Sequence, residues 1–543
     1  MNSARSRIFS GKIKDLLQNV PPSFMFEGIM KRQRLISAGG LSRLFQEAAD
    51  AWRRQAYQET IALLERASRL DPGNPSILLD LGRAYGLRYD YDSAERTFEK
   101  SFSIAPNKAQ TLSEAGKRCQ EFGDYEMALK FFERASKLGI SEDICVTLAE
   151  LYERKSRINE AVELVAHALT LRPGHPASLL VHARLKRLEG KLEEAEKETR
   201  CVLNKTSIEP ATRVRAWYEL GGILDRQGRF DDALSAFLEA KALQRPGAAR
   251  AGAILAGIQQ RVQEQDQTIS APVLQRWFGA AAQLGHPRRF AVLCGHPRSG
   301  TTLLEQVLDT HSDIVTAEET HILHDEAYLP LSRGFPETTS LLQVLEAAPP
   351  SQLRQSRENY FRFTELFIKK IIGNKVLVDK NPALNVLIPA VARIFPEAKF
   401  LVALRDPRDV CISCFMQPLP INPVSSAYLT LEGTVTQYAS VMGFWRAMLP
   451  KMANPFYEVK YEEMVNNLRH VSQHVLRFLG VEWDERVLNF HEHARNKPLR
   501  SPSYADVVKP VFKGAIGRWR NYQKYLEPYL ERLMPFCKAY GYE

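Results

Sequence analysis

Small residues recur in register along the first half of the chain. Gly82, Gly116, Ala149, Ala183 and Gly221 stand 34, 33, 34 and 38 positions apart, and each is followed twelve positions later by Ala94, Ala128, Ala161, Ala195 or Ala233. Large rings lie four places further on in three copies, at Phe98, Phe132 and Phe237, and prolines close copies at Pro106, Pro173 and Pro246. The stretches between read RYDYDSA, EFGDYEMA, RKSRINEA, LEGKLEEA and RQGRFDDA, polar runs of turn length. This is the pattern that paired antiparallel helices require. Small residues let two helices approach, large ones fill the gap to the next pair, and proline forbids continuation of the second helix. A degenerate copy precedes these, with Trp52, Tyr57, Ala67 and Pro72 at matching offsets, and the longer last step predicts a bulged loop near Thr206 to Pro210. The period predicts an all-α solenoid over residues 41–247, after an amino-terminal helical or flexible segment, 1–40.

The periodicity then changes. Residues 248–288 read as helices bridging to a second domain, with Trp277 and Phe278 as packing anchors. From 289 to 543, short strand-like runs replace the repeat: Phe290 to Cys294, Ile314 to Thr316, Val376 to Val378, Phe400 to Leu404 and Phe456 to Tyr461. Helix-period stretches follow them, as from Thr301 and from Pro407. Buried strands alternating with helices predict an α/β domain with a mainly parallel sheet.

Composition narrows the class. Apolar residues make up 45% of the chain and charged residues 25%, the balance of an ordinary globular protein. The net charge of +10 is compatible with an anionic ligand. Most Lys and Arg alternate with Glu on helical stretches, so no basic patch points to nucleic acid. Lys12, Lys14 and Lys31 surround Phe24, Phe26 and Ile29, a weak signal for docking on a membrane surface or a partner. Seven scattered cysteines offer no disulfide framework and fit a reducing compartment; Cys411 and Cys414 have C-x-x-C spacing without a second pair and read as buried thiols. No apolar run reaches the roughly 18 residues of a membrane span, and no secretory leader is evident. A cytoplasmic protein without a transmembrane segment is the expectation.

The chemistry concentrates in RRFAVLCGHPRSGTTLLEQVL. Strand, glycine-bearing loop and helix in succession turn free backbone N–H groups toward a phosphate. Gly295 and Gly300 have Walker A spacing, but Thr301-Thr302 stands where a triphosphate-binding loop needs Lys and then Ser or Thr. Arg298 supplies positive charge inside the loop instead, and Thr302 is placed to meet either a metal ion or a phosphate oxygen. A second strand–helix junction, LVALRDPRDVCIS, ends its strand at Arg405 and carries Ser413 two turns into its helix. A guanidinium there suits a terminal phosphate.

These segments resemble known families. The helix pairs are similar to tetratricopeptide repeats, whose arrays imply a protein or peptide partner, or the acceptor itself, on a concave face. The run Pro297-Arg298-Ser299-Gly300-Thr301-Thr302 resembles the 5′-phosphosulfate motif of sulfotransferases, and the run through Arg405 and Ser413 resembles their 3′-phosphate motif. The resemblance spans roughly residues 289 to 530 and is nearest the tyrosylprotein-sulfotransferase-like branch, with Arg in the loop and the triplet Glu318-Glu319-Thr320. It implies 3′-phosphoadenosine 5′-phosphosulfate as donor, adenosine 3′,5′-bisphosphate as product and no required metal. Arg298, Ser299, Gly300, Thr301, Thr302, Arg405, Ser413, Tyr461 and Lys513 would contact the donor, the last within a segment Phe512 to Trp519 that resembles the family's closing segment.

For catalysis the resemblance implies Glu319 as the base, with Lys380 and Arg298 offsetting charge on the leaving phosphate. His321 and His324 compete for the base role, being natural acceptors near neutral pH. The acceptor hydroxyl stays open between peptide tyrosine, carbohydrate and small molecule. Two other classes stand beside the enzyme: a kinase-like NTPase, which lacks its loop lysine, and a non-catalytic scaffold with a degenerate nucleotide fold.

Overall fold

The computed structural model describes residues 38–542 except 55, 337 and 496–512. The segment Lys12 to Lys31 and residue Phe512 lie outside the described residues. Two compact units divide between Glu219 and Leu220.

The first unit is a succession of helix pairs, among them Pro75–Leu87 with Tyr91–Ile104, Lys108–Glu121 with Tyr125–Leu138, and Glu142–Arg154 with Ile158–Leu171. The sequence starts these helices by side-chain capping. Asn74, Asp90, Asn107, Asp124 and Ser141 each accept an N–H from the first helical turn. The small residues act as notches: a β-carbon on Gly82 would lie 2.5 Å from the Phe98 ring, and one on Gly116 would lie 2.6 Å from Phe132. Where the copy carries alanine, at Ala149 and Ala183, the methyl is fully buried. The predicted break near Thr206 to Pro210 is present, since one helix ends at Leu203 and the next starts at Pro210.

From Phe230 onward the second unit continues with helix Phe230–Gln244, then α1 (Ala249–Thr268), then helix Ala271–Gly279. Trp277 is buried there and its indole N–H donates to Glu346. Phe278, predicted as a second anchor, is 41% exposed because its neighbour occupies the inward face of this short helix.

The sheet has five parallel strands in the order β2-β3-β1-β4-β5: β1 (Phe290–Gly295), β2 (Ile314–Glu318), β3 (Val376–Lys380), β4 (Lys399–Leu404) and β5 (Phe456–Lys460). β1 to β3 are buried along their whole length, which explains their continuous apolar runs. Helix α2 (Thr301–Asp309) follows β1, and α3 (Pro407–Phe415) follows β4. β1 lies between β3 and β4, with its chain leaving toward β2 and the chain after β4 leaving toward β5. The order therefore reverses at β1/β4, the position where open α/β sheets bind ligands beyond their strand ends. Register brings Gly295 opposite Ala403 and Glu318 opposite Lys380. No described helix is long and apolar enough to cross a membrane.

Candidate functional site

The loop after β1 depends on two glycines. Gly295 has φ +135°, and a β-carbon there would lie 2.5 Å from the carbonyl oxygen of Ala403 on the adjoining strand. Gly300 has φ +94° at the start of α2, where a β-carbon would lie 2.7 Å from the Tyr461 ring. Between them Arg298 takes φ +70°, a left-handed conformation that costs a side-chain-bearing residue free energy. Ser299, Thr301 and Thr302 are buried where the first-turn N–H groups of α2 lack intrahelical acceptors.

Adjacency of β1 and β4 joins this loop to the second motif across more than a hundred residues. Arg298 donates from Nε to Ser413 Oγ at 3.0 Å. Arg405, at the end of β4, donates to the Arg298 carbonyl at 3.1 Å and to the Ala515 carbonyl at 2.5 Å. Its guanidinium lies 4.9 Å from the Tyr461 ring centroid, and its buried Nε–H has no hydrogen-bond partner among the described residues. A cation with an unmet buried donor, beside a hydroxyl and a helix amino terminus, is a donor set that fits a phosphate group. Arg408 is not part of it: it chelates Asp406 at 2.8 and 2.9 Å. Lys513 is exposed, two residues before Ala515.

The second cluster sits at the ends of β2 and β3. Lys380 is completely buried, and its ammonium donates to Glu319 at 2.8 Å and to Glu318 at 3.3 Å. Burial works against its charge, but Glu319, Glu318 and Glu305 outweigh it and hold the pKa above the ordinary lysine value. Glu319 adopts φ +50° and donates its backbone N–H to the Lys380 carbonyl at 2.7 Å. Its side chain is 38% exposed against 5% for Glu318, so Glu319 is the carboxylate that a ligand can reach. Beside Lys380, burial raises the Asp379 carboxyl to about 7, although Tyr360 donates to it at 2.7 Å.

Of the two histidine competitors, His324 bonds through Nδ1 to Asp325 at 2.6 Å. His321 and His324 line a cavity of about 380 Å³, together with Thr320, which follows Glu319, and Asn381, which follows Lys380. A wider hollow of about 730 Å³, around Phe230 and Asn521, contains none of these groups.

The structure thus gathers Arg298, Ser299, Gly300, Thr301, Thr302, Arg405, Ser413 and Tyr461 at one strand-end crevice, and Glu319 with Lys380 at its neighbour. Three contributors were not singled out from sequence. Glu305 is a third carboxylate near Lys380. Asp409 accepts the N–H groups of Gly517 and Trp519 at 2.7 and 2.8 Å, fixing the closing segment to α3. Helix α1 supplies one side of the cavity through Ile258, Arg261, Val262 and Gln265. Asp409 lay in the motif itself and could have been read as a cap for a later segment; the α1 contacts leave no local signal.

Residues 291–485 match the model of the Sulfotransferase family, and residues 51–115 and 214–246 match models of the tetratricopeptide repeat. An uncharacterized protein of Aquifex aeolicus (strain VF5) is 22% identical over 413 residues, 73% of this chain and 50% of its own length. The protein-tyrosine sulfotransferase of Drosophila melanogaster is 28% identical over 41% of this chain and 46% of its own length, and protein-tyrosine sulfotransferase 1 of Homo sapiens is 27% identical over 48% and 73%. The chain therefore spans about half the length of the first two. Among solved structures, the sulfotransferase domain of the Synechococcus PCC 7002 olefin synthase aligns with 44% of this chain and 89% of its own, at 20% identity and a TM-score of 0.32.

Proposed function

We propose that this chain, tetratricopeptide repeats joined to a sulfotransferase-family domain and distantly similar to protein-tyrosine sulfotransferases, transfers a sulfuryl group from 3′-phosphoadenosine 5′-phosphosulfate to an acceptor hydroxyl. The observation that carries this reading is the convergence of Arg298, Ser413 and Arg405 beside the Glu319–Lys380 pair, on neighbouring ends of one sheet.

The donor supplies an activated sulfuryl group whose sulfur–oxygen bond to phosphate breaks as a bond to the acceptor oxygen forms. Glu319 takes the acceptor proton. Lys380 and Arg298 face the phosphate that gains charge, and such preorganised donors lower the barrier most where water is excluded. Arg405 and Ser413 hold the 3′-phosphate, Tyr461 supports the Arg405 plane, and Lys513 approaches with the closing segment. The left-handed conformations of Arg298 and Glu319 support these roles, since strained backbone concentrates at functional sites. Tetratricopeptide arrays support protein binding, and in this reading the repeats hold a polypeptide, either a partner or the acceptor, on their concave face.

Calorimetric titration of the full chain tests the donor assignment. Adenosine 3′,5′-bisphosphate is expected to bind far more tightly than ATP, because the loop has no Walker lysine. Equal affinity for the two would overturn it.

A further inference from the structure

The cavity beside the strand ends divides its lining by polarity. Six of its lining residues, Leu341, Leu342, Val386, Leu387, Val424 and Val441, are aliphatic and only partly buried. They come from four separate helical segments, Leu341–Ala347, Pro382–Leu387, Pro423–Ser426 and Leu431–Met448. The polar residues between them are buried and turn their groups into the protein. Asn385 donates to the Gly295 carbonyl at 2.7 Å, and Asn381 donates to the Thr320 carbonyl at 2.9 Å. His296 donates through Nδ1 to the Pro297 carbonyl at 3.0 Å, and Gln437 accepts from Gln259 at 2.8 Å. What the hollow offers a ligand is therefore chiefly hydrocarbon.

The polar remainder lies toward solvent or toward the carboxylates. On α1, Gln260, Glu264 and Thr268 are exposed and stand four residues apart, one stripe of the helix, so they form a rim. Ile258 and Val262 of the same helix are buried and form wall. His321 is partly exposed two residues after Glu319, and the Pro382–Leu387 turn starts two residues after Lys380. The aliphatic wall thus begins where the catalytic pair ends. The volume of about 380 Å³ falls within the roughly 300–1,000 Å³ of small-molecule sites and is more than twice the ~150 Å³ that holds one benzene ring. A tyrosine in a peptide brings one ring flanked by amide groups, and amides stripped of water against hydrocarbon are costly.

We propose that this cavity is the acceptor site and takes an alcohol with a hydrocarbon body, lipid-like in character, rather than the tyrosine of a polypeptide. The proposal rests on the sulfotransferase reading above. The hydroxyl loses its proton to Glu319 and its oxygen bonds the sulfur. The sulfur–oxygen bond to the donor phosphate breaks, and its electron pair leaves with the bisphosphate. The hydrocarbon body lies against the aliphatic wall. Helix α1, which lies outside the family-matched residues, contributes to acceptor specificity, and the repeats are left to hold a partner rather than the acceptor.

The test uses the full chain loaded with adenosine 3′,5′-bisphosphate. Saturation-transfer NMR reads binding of 1-butanol, 1-hexanol and 1-octanol against glucose. Labelled donor reads transfer to 1-octanol, glucose and an acidic tyrosine peptide. Affinity is expected to rise by about threefold to fourfold for each methylene added, the worth of one buried CH₂, and 1-octanol is expected to accept sulfate. Val441→Trp, which fills part of the cavity, should cost 1-octanol at least about tenfold and 1-butanol much less. Bisphosphate affinity should stay at its native value, which also shows that the variant is folded. Val441→Thr keeps the volume but adds a hydroxyl; it should weaken 1-octanol and serves if the larger ring disturbs folding. The proposal is overturned by an affinity that stays flat along the series, by glucose binding as tightly as 1-octanol, or by 1-octanol binding that neither variant weakens. It is overturned equally if 1-octanol binds but only the tyrosine peptide accepts sulfate. Alcohol binding with the expected increments, but no bisphosphate binding by the native chain, would instead fell the sulfotransferase reading and leave the ligand class of the cavity standing.

Discussion

In the repeat unit, the second residue past the first helix of four successive pairs sits at positive φ whatever its identity. Gly123 and Gly190 take +79° and +83°, and Tyr89 and Ser156 take +64° and +58° at corresponding positions. In the sheet unit, the left-handed residues Arg298 and Glu319 interrupt strand–helix junctions, and both extend charged side chains into a crevice. The same local conformation therefore serves turn geometry in one unit and placement of charge in the other. Charge itself divides in parallel. The repeats carry solvent-facing pairs such as Lys130–Glu95 and Arg134–Glu99, which contribute little. The sheet unit encloses Lys380 among three carboxylates. Burying such a group is costly and is retained where chemistry uses it.

The largest effect that would sharpen this contrast is at Glu319. Glu319→Gln keeps the side chain's size but cannot take a proton, so single-turnover transfer should fall by about 10² to 10⁴-fold with bisphosphate affinity retained. His321→Asn is the matched control, and a severe loss there alone would move the base role to His321. Next comes the buried carboxyl beside Lys380. Burial raises Asp379 to about 7, above its unfolded value, so the fold favours the protonated form. The stability this contributes is complete below the ordinary carboxylate range and is lost as pH rises through about 7. Asp379→Asn removes that loss, and thermal melts should show the variant gaining on the native protein as pH rises, by up to about 4 kcal/mol. A pH-independent difference would mean that Asp379 is ionised throughout.

Arg405→Ala should follow, costing about 2 kcal/mol, or about thirtyfold, in bisphosphate binding and much less for adenosine 5′-monophosphate. An equal loss for both nucleotides would make Arg405 a support of the fold. The smallest effect is expected in the repeats. Ser156→Gly relieves a left-handed serine and should raise stability by about 0.5–1 kcal/mol in denaturant titration. Arg298→Gly relieves the same kind of strain but should lower donor affinity. If both substitutions only stabilised the protein, the distinction between the two units would collapse.

Much of this was legible in the chain because its signals are local. The notches Gly82 and Gly116 precede the rings that fill them by a fixed offset. The strand runs announce themselves by continuous apolarity, and Arg405 and Ser413 stand at a strand end and two helical turns beyond it. Phe278 misled because an aromatic pair on a short helix gives no sign of which ring faces inward. Arg408 has Asp406 and Asp409 equally near in sequence; in the structure it closes on Asp406, leaving Asp409 to cap backbone more than a hundred residues away. The wall of α1 was illegible for a physical reason: its apolar residues have ordinary helical spacing, and which hollow they face is decided by packing across the unit.

Gly300, Tyr461 and Arg405 form a stack in which the absent β-carbon of the first admits the ring of the second, and that ring underlies the guanidinium of the third. The three belong to separate stretches of sequence, yet a change at one shifts the ground under the next. Over evolutionary time they should behave as one inherited character. Lineages that replace Gly300 are expected to have lost the ring at 461 as well, and lineages that dispense with both are expected to hold their nucleotide by some other residue than Arg405.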